Sequence, residues 1–142
     1  MKVLAVSISR TKGVKKENVQ SAMLKVDHGI ENDAHAGDWH RQVSLLATES
    51  IDKMRAEGLE LSPGDFAENI TTKGLDVPGL KVGACIKIGN DVVMELTQIG
   101  KECHSGCAIM KMVGKCIMPT EGVFFKVLVP GEVRPDDKIE LV

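Results

Sequence analysis

The sequence predicts a mostly β protein, a barrel or sandwich of short strands with one or two short helices. Three observations carry this expectation. Apolar, β-branched runs of five to eight residues recur along the 142-residue chain. Gly, Pro, Asn and Asp punctuate them at short intervals, and a helical period shows clearly at only one place, after residue 47. Strands at that spacing favour a barrel or sandwich over a parallel sheet built from βαβ units.

The elements follow in order. Residues 3–9 (VLAVSIS) are aliphatic and β-branched and read as a first strand, ended by the turn signal at Thr11, Lys12 and Gly13. Residues 19–26 (VQSAMLKV) read as a second strand with a mixed alternation. Residues 27–42 (DHGIENDAHAGDWHRQ) have no apolar period and carry His28, His35, His40 and Arg41. A connection of 16 residues in a compact chain is usually a functional loop. Residues 43–47 (VSLLA) read as a short buried strand. A helix follows with Ile51, Met54 and Leu59 on one side, Thr48 or Ser50 as N-cap and Gly58 as C-cap. Residues 66–72 (FAENITT) read as a strand with polar Glu68 and Asn69 inside it. Residues 84–88 and 92–99, joined at Gly89, Asn90 and Asp91, form the clearest hairpin. Residues 123–129 and 138–142 read as closing strands, separated by a turn at Pro130, Gly131 and Glu132.

Length fits one domain spanning residues 1–142, with enough chain for an apolar core. Eighteen basic and 20 acidic residues are interleaved, for a net charge of −2, and there is no Tyr, one Trp and three Phe. Neither a basic footprint nor stacking platforms for bases are present, which argues against nucleic-acid partners. The apolar run near the N-terminus is too short for a signal h-region, and no segment approaches the roughly 18 apolar residues of a membrane span. A cytoplasmic protein is expected, where thiols stay reduced and cysteines serve as buried, metal-binding or reactive groups.

Three of the four cysteines lie between Gly100 and Gly122, with Cys103, Cys107 and Cys116 separated by three and eight residues. If residues 105–112 are helical, Cys103 and Cys107 stand one turn apart on one face and zinc is conceivable, but the second close pair of a structural zinc site is missing. Cys85 reads as a small buried hydrophobe. Cys116 differs, because it sits in a Gly- and Pro-bounded connection beside Lys115 and near Lys111. Nearby cations favour the thiolate, the form that attacks sulfur donors or binds soft metals. His35, His40 and Arg41 are candidates for anion binding, since Arg presents a planar fork matched to phosphate or carboxylate. Glu68 and Asn69 either cap a turn or face the same cavity.

Four segments in order, GIENDAHAGDWHRQVSLL, PGDFAENITTKGLDVPGLKVGACIKIG, VMELTQIGKECHSGC and GKCIMPTEGVFFKVL with PGEV, resemble the MOSC domain, the family related to the C-terminal part of molybdenum-cofactor sulfurase. The resemblance runs from about Gly29 to Leu141 and implies a stand-alone, single-domain member. It implies a closed, mostly antiparallel β-barrel (pyruvate-kinase-barrel-like) with short helical insertions. It further implies association with the molybdenum cofactor (molybdopterin), lasting or transient, by binding it or by carrying sulfur destined for the metal. The family's characteristic cysteine matches Cys116, as metal ligand or persulfide carrier, with Lys115 beside it; His35, Arg41 and Asn69 fall in the other motifs around the cofactor pocket. The pyridoxal-phosphate desulfurase domain of sulfurases is not matched in this chain, so molybdenum-cofactor biosynthesis or cysteine desulfurase proteins are the expected partners. The alternative is a small barrel holding structural zinc or an anion without catalysis. A third reading, reduction of N-hydroxylated compounds, requires an electron donor.

Overall fold

A computed structural model describes residues 1–100 and 117–142. Among them strand is the main regular structure, with one two-turn helix, α1 (Thr48–Arg55), a short turn of helix, α2 (Met118–Glu121), and a turn of 3-10 helix at Val77–Gly79. Eleven strands are formed among the described residues: β1 (Lys2–Ile8), β2 (Glu17–Val19), β3 (Ala22–Lys25), β4 (Gly29–Ile30), β5 (Val43–Ala47), β6 (Ile70–Lys73), β7 (Cys85–Ile88), β8 (Val92–Ile99), β9 (Val123–Val129), β10 (Gly131–Val133) and β11 (Ile139–Leu141).

Eight of these make one sheet in the order β11-β7-β8-β9-β5-β6-β1-β2, and β10-β3-β4 make a second. Among the described residues no sheet closes into the expected barrel: the eight-stranded sheet ends on β11 and β2. The two sides of the sheet meet only locally, at an isolated Lys2–Lys138 bridge. There the Val3 and Ile139 amides donate to Asp137 and Met1 carbonyls at 2.8 and 2.9 Å. The expected antiparallel pairing holds except between β5 and β6, which run parallel.

β5 is the strand around which the packing divides. All five of its residues are buried, as expected of a strand covered on both faces. Val43, Leu45 and Ala47 enter the larger core with Val3, Ile70, Met94 and Phe125. Leu46 points the other way, into a smaller core with Ile51 and Met54 of α1, Phe66, Ile117, Met118 and Phe124. β9 repeats the division, with Val123, Phe125 and Val127 in one core and Phe124 in the other.

Several boundaries differ from expectation for local reasons. Residues 19–26 split into β2 and β3, which join different sheets; in β3 only Ala22 and Leu24 are buried. Residues 66–69 leave a turn and run irregularly into β6 rather than forming strand, with Ala67 at φ +62°. Glu68 there accepts the Phe66 amide at 3.2 Å, so a side chain takes the place of a strand partner. α1 has no side-chain cap: Ala47 and Ala56 flank it, and Gly58 lies beyond it at φ +94°. The expected turn at residues 130–132 contributes Gly131 and Glu132 to β10, which pairs with β3. The β7–β8 hairpin forms as expected, with Ile88 opposite Val92.

Candidate functional site

The polar loop between β4 and β5 is folded around one buried ion pair. Lys16, just before β2, extends inward, and its Nζ stands 2.8 Å from Asp33 Oδ1 with both side chains inaccessible to solvent. Asp33 also accepts the Ser9 amide at 3.1 Å through Oδ1 and the His35 amide at 3.0 Å through Oδ2. Burial raises its pKa, but the hydrogen bond and charge of Lys16, with the two amides, outweigh that and hold the carboxyl below its ordinary value. The Ala34 amide donates to the Ser9 carbonyl at 2.8 Å, which ties the loop to the end of β1.

Lys16 is set in depth by Gly64. The Lys16 amide donates to the Gly64 carbonyl at 2.9 Å. Gly64 has φ +93°, and a Cβ there would overlap the Lys16 carbonyl and lie 3.0 Å from Ser7 Oγ. Only glycine allows this approach.

Of the residues the family resemblance puts around the cofactor, His35, Arg41 and Asn69 can be placed. His35 is mostly buried, with its Nδ1 3.1 Å from Lys16 Nζ and 3.8 Å from Asp33 Oδ2. Its carbonyl accepts the Trp39 indole N–H at 2.8 Å. Trp39 in turn stacks on Arg41, whose guanidinium carbon is 4.6 Å from the indole centroid and 5.6 Å from the Phe124 ring. Lys12 Nζ stands over the same indole at 5.2 Å. Trp39 therefore joins His35 to Arg41 and lies under two cations, each such contact being worth about 0.5–2 kcal/mol. Arg41 Nε is buried and makes no hydrogen bond among the described residues.

Asn69 is placed elsewhere. It is fully buried, its Oδ1 accepts the Ser44 amide and hydroxyl at 3.0 and 3.1 Å, and its Nδ2 donates to the Ser7 carbonyl at 3.1 Å. Among the described residues these bonds clamp β5 to β1 and none reaches the loop. Glu68, beside it, is also fully buried; burial pushes its carboxyl up despite hydrogen bonds from the backbone around Gly64 and from the Thr71 hydroxyl. His40 is exposed, its Nε2 2.7 Å from Gln98 Oε1, and its carbonyl takes the Thr97 hydroxyl. Cys116 and Lys115, with His104, Cys103 and Cys107, lie outside the described residues; Cys85 is a half-buried free thiol.

Lys16, Asp33, Lys12 and Trp39 were not singled out from sequence as site residues. The only sequence signal for Lys16 and Asp33 is that each is a charged residue near a strand end, and their 17-residue separation gives no periodic clue.

The donor set suits an anionic group. A buried guanidinium nitrogen with no hydrogen-bond partner among the described residues and a second cation stand over one indole, whose N–H is tied to the residue carrying the imidazole. A guanidinium fork suits a phosphate or carboxylate, and an indole suits cations. Among the described residues no group of three or more His, Cys, Asp or Glu side chains is arranged to hold a metal ion. No helix among them is long and apolar enough to cross a membrane.

Comparison with solved structures places the fold among known ones. The chain is similar to the YuaD protein from Bacillus subtilis, with TM-score 0.82, 18% identity, and 99% of this chain and 94% of that one covered. It is similar to YiiM from Geobacillus stearothermophilus, with TM-score 0.73, 18% identity and coverage of 99% and 74%. YiiM from Escherichia coli gives TM-score 0.71, 20% identity and coverage of 100% and 70%. No curated protein matches the sequence significantly. The family model of the MOSC domain matches residues 32–140, a span running from the polar loop to the last strand, and the chain belongs to the MOSC domain family.

Proposed function

We propose that this protein, acting as a single domain, associates with the molybdenum cofactor and binds it or passes sulfur to it through Cys116. The MOSC family is linked to molybdenum-cofactor biology generally. The observation that carries the proposal is the indole of Trp39 with both Lys12 and Arg41 over its ring, and a buried Arg41 Nε that has no hydrogen-bond partner among the described residues. Arg41 and Lys12 would neutralise the cofactor's phosphate, Trp39 would lie against its ring system, and His35 would add a polar contact. Asn69 would act one step removed, by fixing β5 and β1 behind the loop.

Bound molybdenum supplies a soft, redox-active centre that accepts a thiolate or sulfide ligand. Lys115, next in sequence to Cys116, would favour the thiolate. For sulfur delivery, the Cys116 thiolate attacks the outer sulfur of a persulfide on a donor protein. The new S–S bond forms on Cys116, the donor's S–S bond breaks, and the donor departs as a thiolate, with no net oxidation. A cysteine desulfurase or a cofactor-biosynthesis protein is the partner this step requires, and the reducing cytoplasm is the setting that keeps Cys116 available.

The test is the molybdenum and zinc content of protein purified anaerobically from a cofactor-producing host, read by plasma mass spectrometry beside the mass of Cys116. Near-stoichiometric molybdenum, or one added sulfur on Cys116, is expected, and either is lost in Cys116→Ser while the fold persists. Loading that survives Cys116→Ser overturns the proposal. Tight zinc with unfolding on chelation would establish the structural reading instead.

A further inference from the structure

Strand β8 changes face at a bulge near its end. Val92, Met94 and Leu96 alternate into the main core, and a regular continuation would send the Gln98 amide in after them. Thr97 prevents this, because it is an extra residue against β9. Leu96 stands opposite Phe125, and Gln98, not Thr97, stands opposite Phe124. Residues directly opposite in a sheet share a face, so Gln98 is carried to the side of Phe124, away from the core that Phe125 fills. Phe124 is also the ring that the Arg41 guanidinium stands over, at 5.6 Å.

Both re-aimed side chains engage the polar loop. The Thr97 hydroxyl donates to the His40 carbonyl and stands 3.1 Å from the Phe124 carbonyl. Gln98 Nε2 donates to the Gly100 carbonyl at 2.7 Å, which turns Oε1 toward His40 Nε2, also 2.7 Å away. An amide oxygen only accepts, so the His40 ring supplies the proton. His40 is thus held at its carbonyl and at its ring, one residue before Arg41. A single hydroxyl therefore spaces the backbone from which Arg41 leaves against the residue whose ring it covers.

We propose that Thr97 and Gln98 are positioning residues for the anion site, and that the bulge exists to aim them at His40, so that Arg41 is held at the Trp39 and Phe124 rings before any anion arrives. A long, rotatable side chain that must be ordered on binding weakens affinity, and one ordered in advance does not. This inference deepens the proposed function and rests on its reading of Arg41 as the partner of the ligand's anionic group. A bulge that served only to keep the Gln98 amide out of the core would have no use for the Thr97 hydroxyl, and that difference is measurable.

The test compares Thr97→Val, which keeps the shape and β-branching and removes the hydroxyl, with Thr97→Ser, which keeps the hydroxyl. In protein carrying isotope-labelled arginine, the side-chain signals of Arg41 are assigned with Arg41→Lys. The wild type is expected to show them displaced upfield by the indole and phenyl rings, with a slowly exchanging Nε–H. Ordinary arginine positions in the wild type overturn the proposal, whether or not any variant folds. The displacement should be retained in Thr97→Ser and lost in Thr97→Val; an Arg41 spectrum unchanged in folded Thr97→Val also overturns it. Inorganic phosphate, titrated against the fluorescence of Trp39, the sole tryptophan, reads the consequence for binding. Affinity is expected to fall several-fold in Thr97→Val and to recover in Thr97→Ser, and equal affinity in wild type and Thr97→Val removes Thr97 from the positioning role. A wild type that does not respond to phosphate refutes the reading of Arg41 in the proposed function, while the Arg41 spectra still decide whether the bulge sets the arginine.

Discussion

Replacing Asp33 by Ala tests whether the Lys16–Asp33 pair holds the polar loop. The substitution leaves the Lys16 ammonium in a site with no solvent access, and it deprives the Ser9 and His35 amides of their acceptor. Breaking a buried pair by removing one partner costs about 3–5 kcal/mol. Each orphaned amide would add about 1–3 kcal/mol if it stayed dry. The three losses share one carboxylate and do not add, since water admitted to the vacated space serves all three groups. A loss of about 4 kcal/mol is therefore expected, a large part of the roughly 5–15 kcal/mol that stabilises an ordinary domain. At roughly 3 °C per kcal/mol for a chain of this size, Tm falls by about 12 °C. Urea unfolding followed by the fluorescence of Trp39, the sole tryptophan, measures the midpoint and its slope. Because the native Asp33 pKa lies below the ordinary 3.8, its contribution is present above about pH 4 and disappears as pH falls through the native value. Wild type and Asp33→Ala should thus converge in acid. A loss below about 1 kcal/mol at pH 7, or a difference that persists at low pH, would refute the reasoning.

Two further substitutions probe the ground beneath the loop. The raised pKa of buried Glu68 means that the folded protein binds its proton more tightly than the unfolded chain does. Stability must therefore fall as pH rises above about 4.5 toward the native value, and Glu68→Gln should remove that fall and be at least as stable at pH 7; parallel stability–pH curves would contradict this. Gly64→Ala forces a Cβ onto the Lys16 carbonyl in a left-handed backbone, and should cost about 2–4 kcal/mol while disturbing the His35 ring signals. An unperturbed His35 spectrum in that variant would show that Gly64 does not set Lys16.

What could be seen in the sequence follows how local its cause is. The β7–β8 hairpin was visible because its strands are adjacent and their turn carries Gly, Asn and Asp. β5 was visible because burial on both faces writes an apolar run broken only by Ser44. The parting of β2 from β3 was not, since β2 pairs back onto β1 just before it while β10 arrives from near the far end of the chain to claim β3. Glu68 and Asn69 looked like strand residues because nothing nearby announces that their side chains will bind backbone. His35 and Arg41 were legible as residue types in an aperiodic loop, whereas the groups that orient them were not. Lys16 becomes part of the site only once Gly64 and Asp33 close around it, and Trp39 matters by joining His35 to Arg41 rather than by any motif. Asn69, grouped with them on the family resemblance, is instead engaged with Ser44 and Ser7.

The membership of β5 in both cores has a consequence for how the protein breathes. Helix α1 and the Phe66 turn cannot peel away without uncovering Leu46, and that exposure loosens a strand whose neighbours Leu45 and Val43 anchor the far side. A partial opening that spares the main sheet is thereby penalised. The amides of β5, hydrogen-bonded to β6 on one side and β9 on the other, exchange with solvent only when the whole assembly opens. The polar loop hangs directly from the first residue of this strand, so its floor is held by both cores at once.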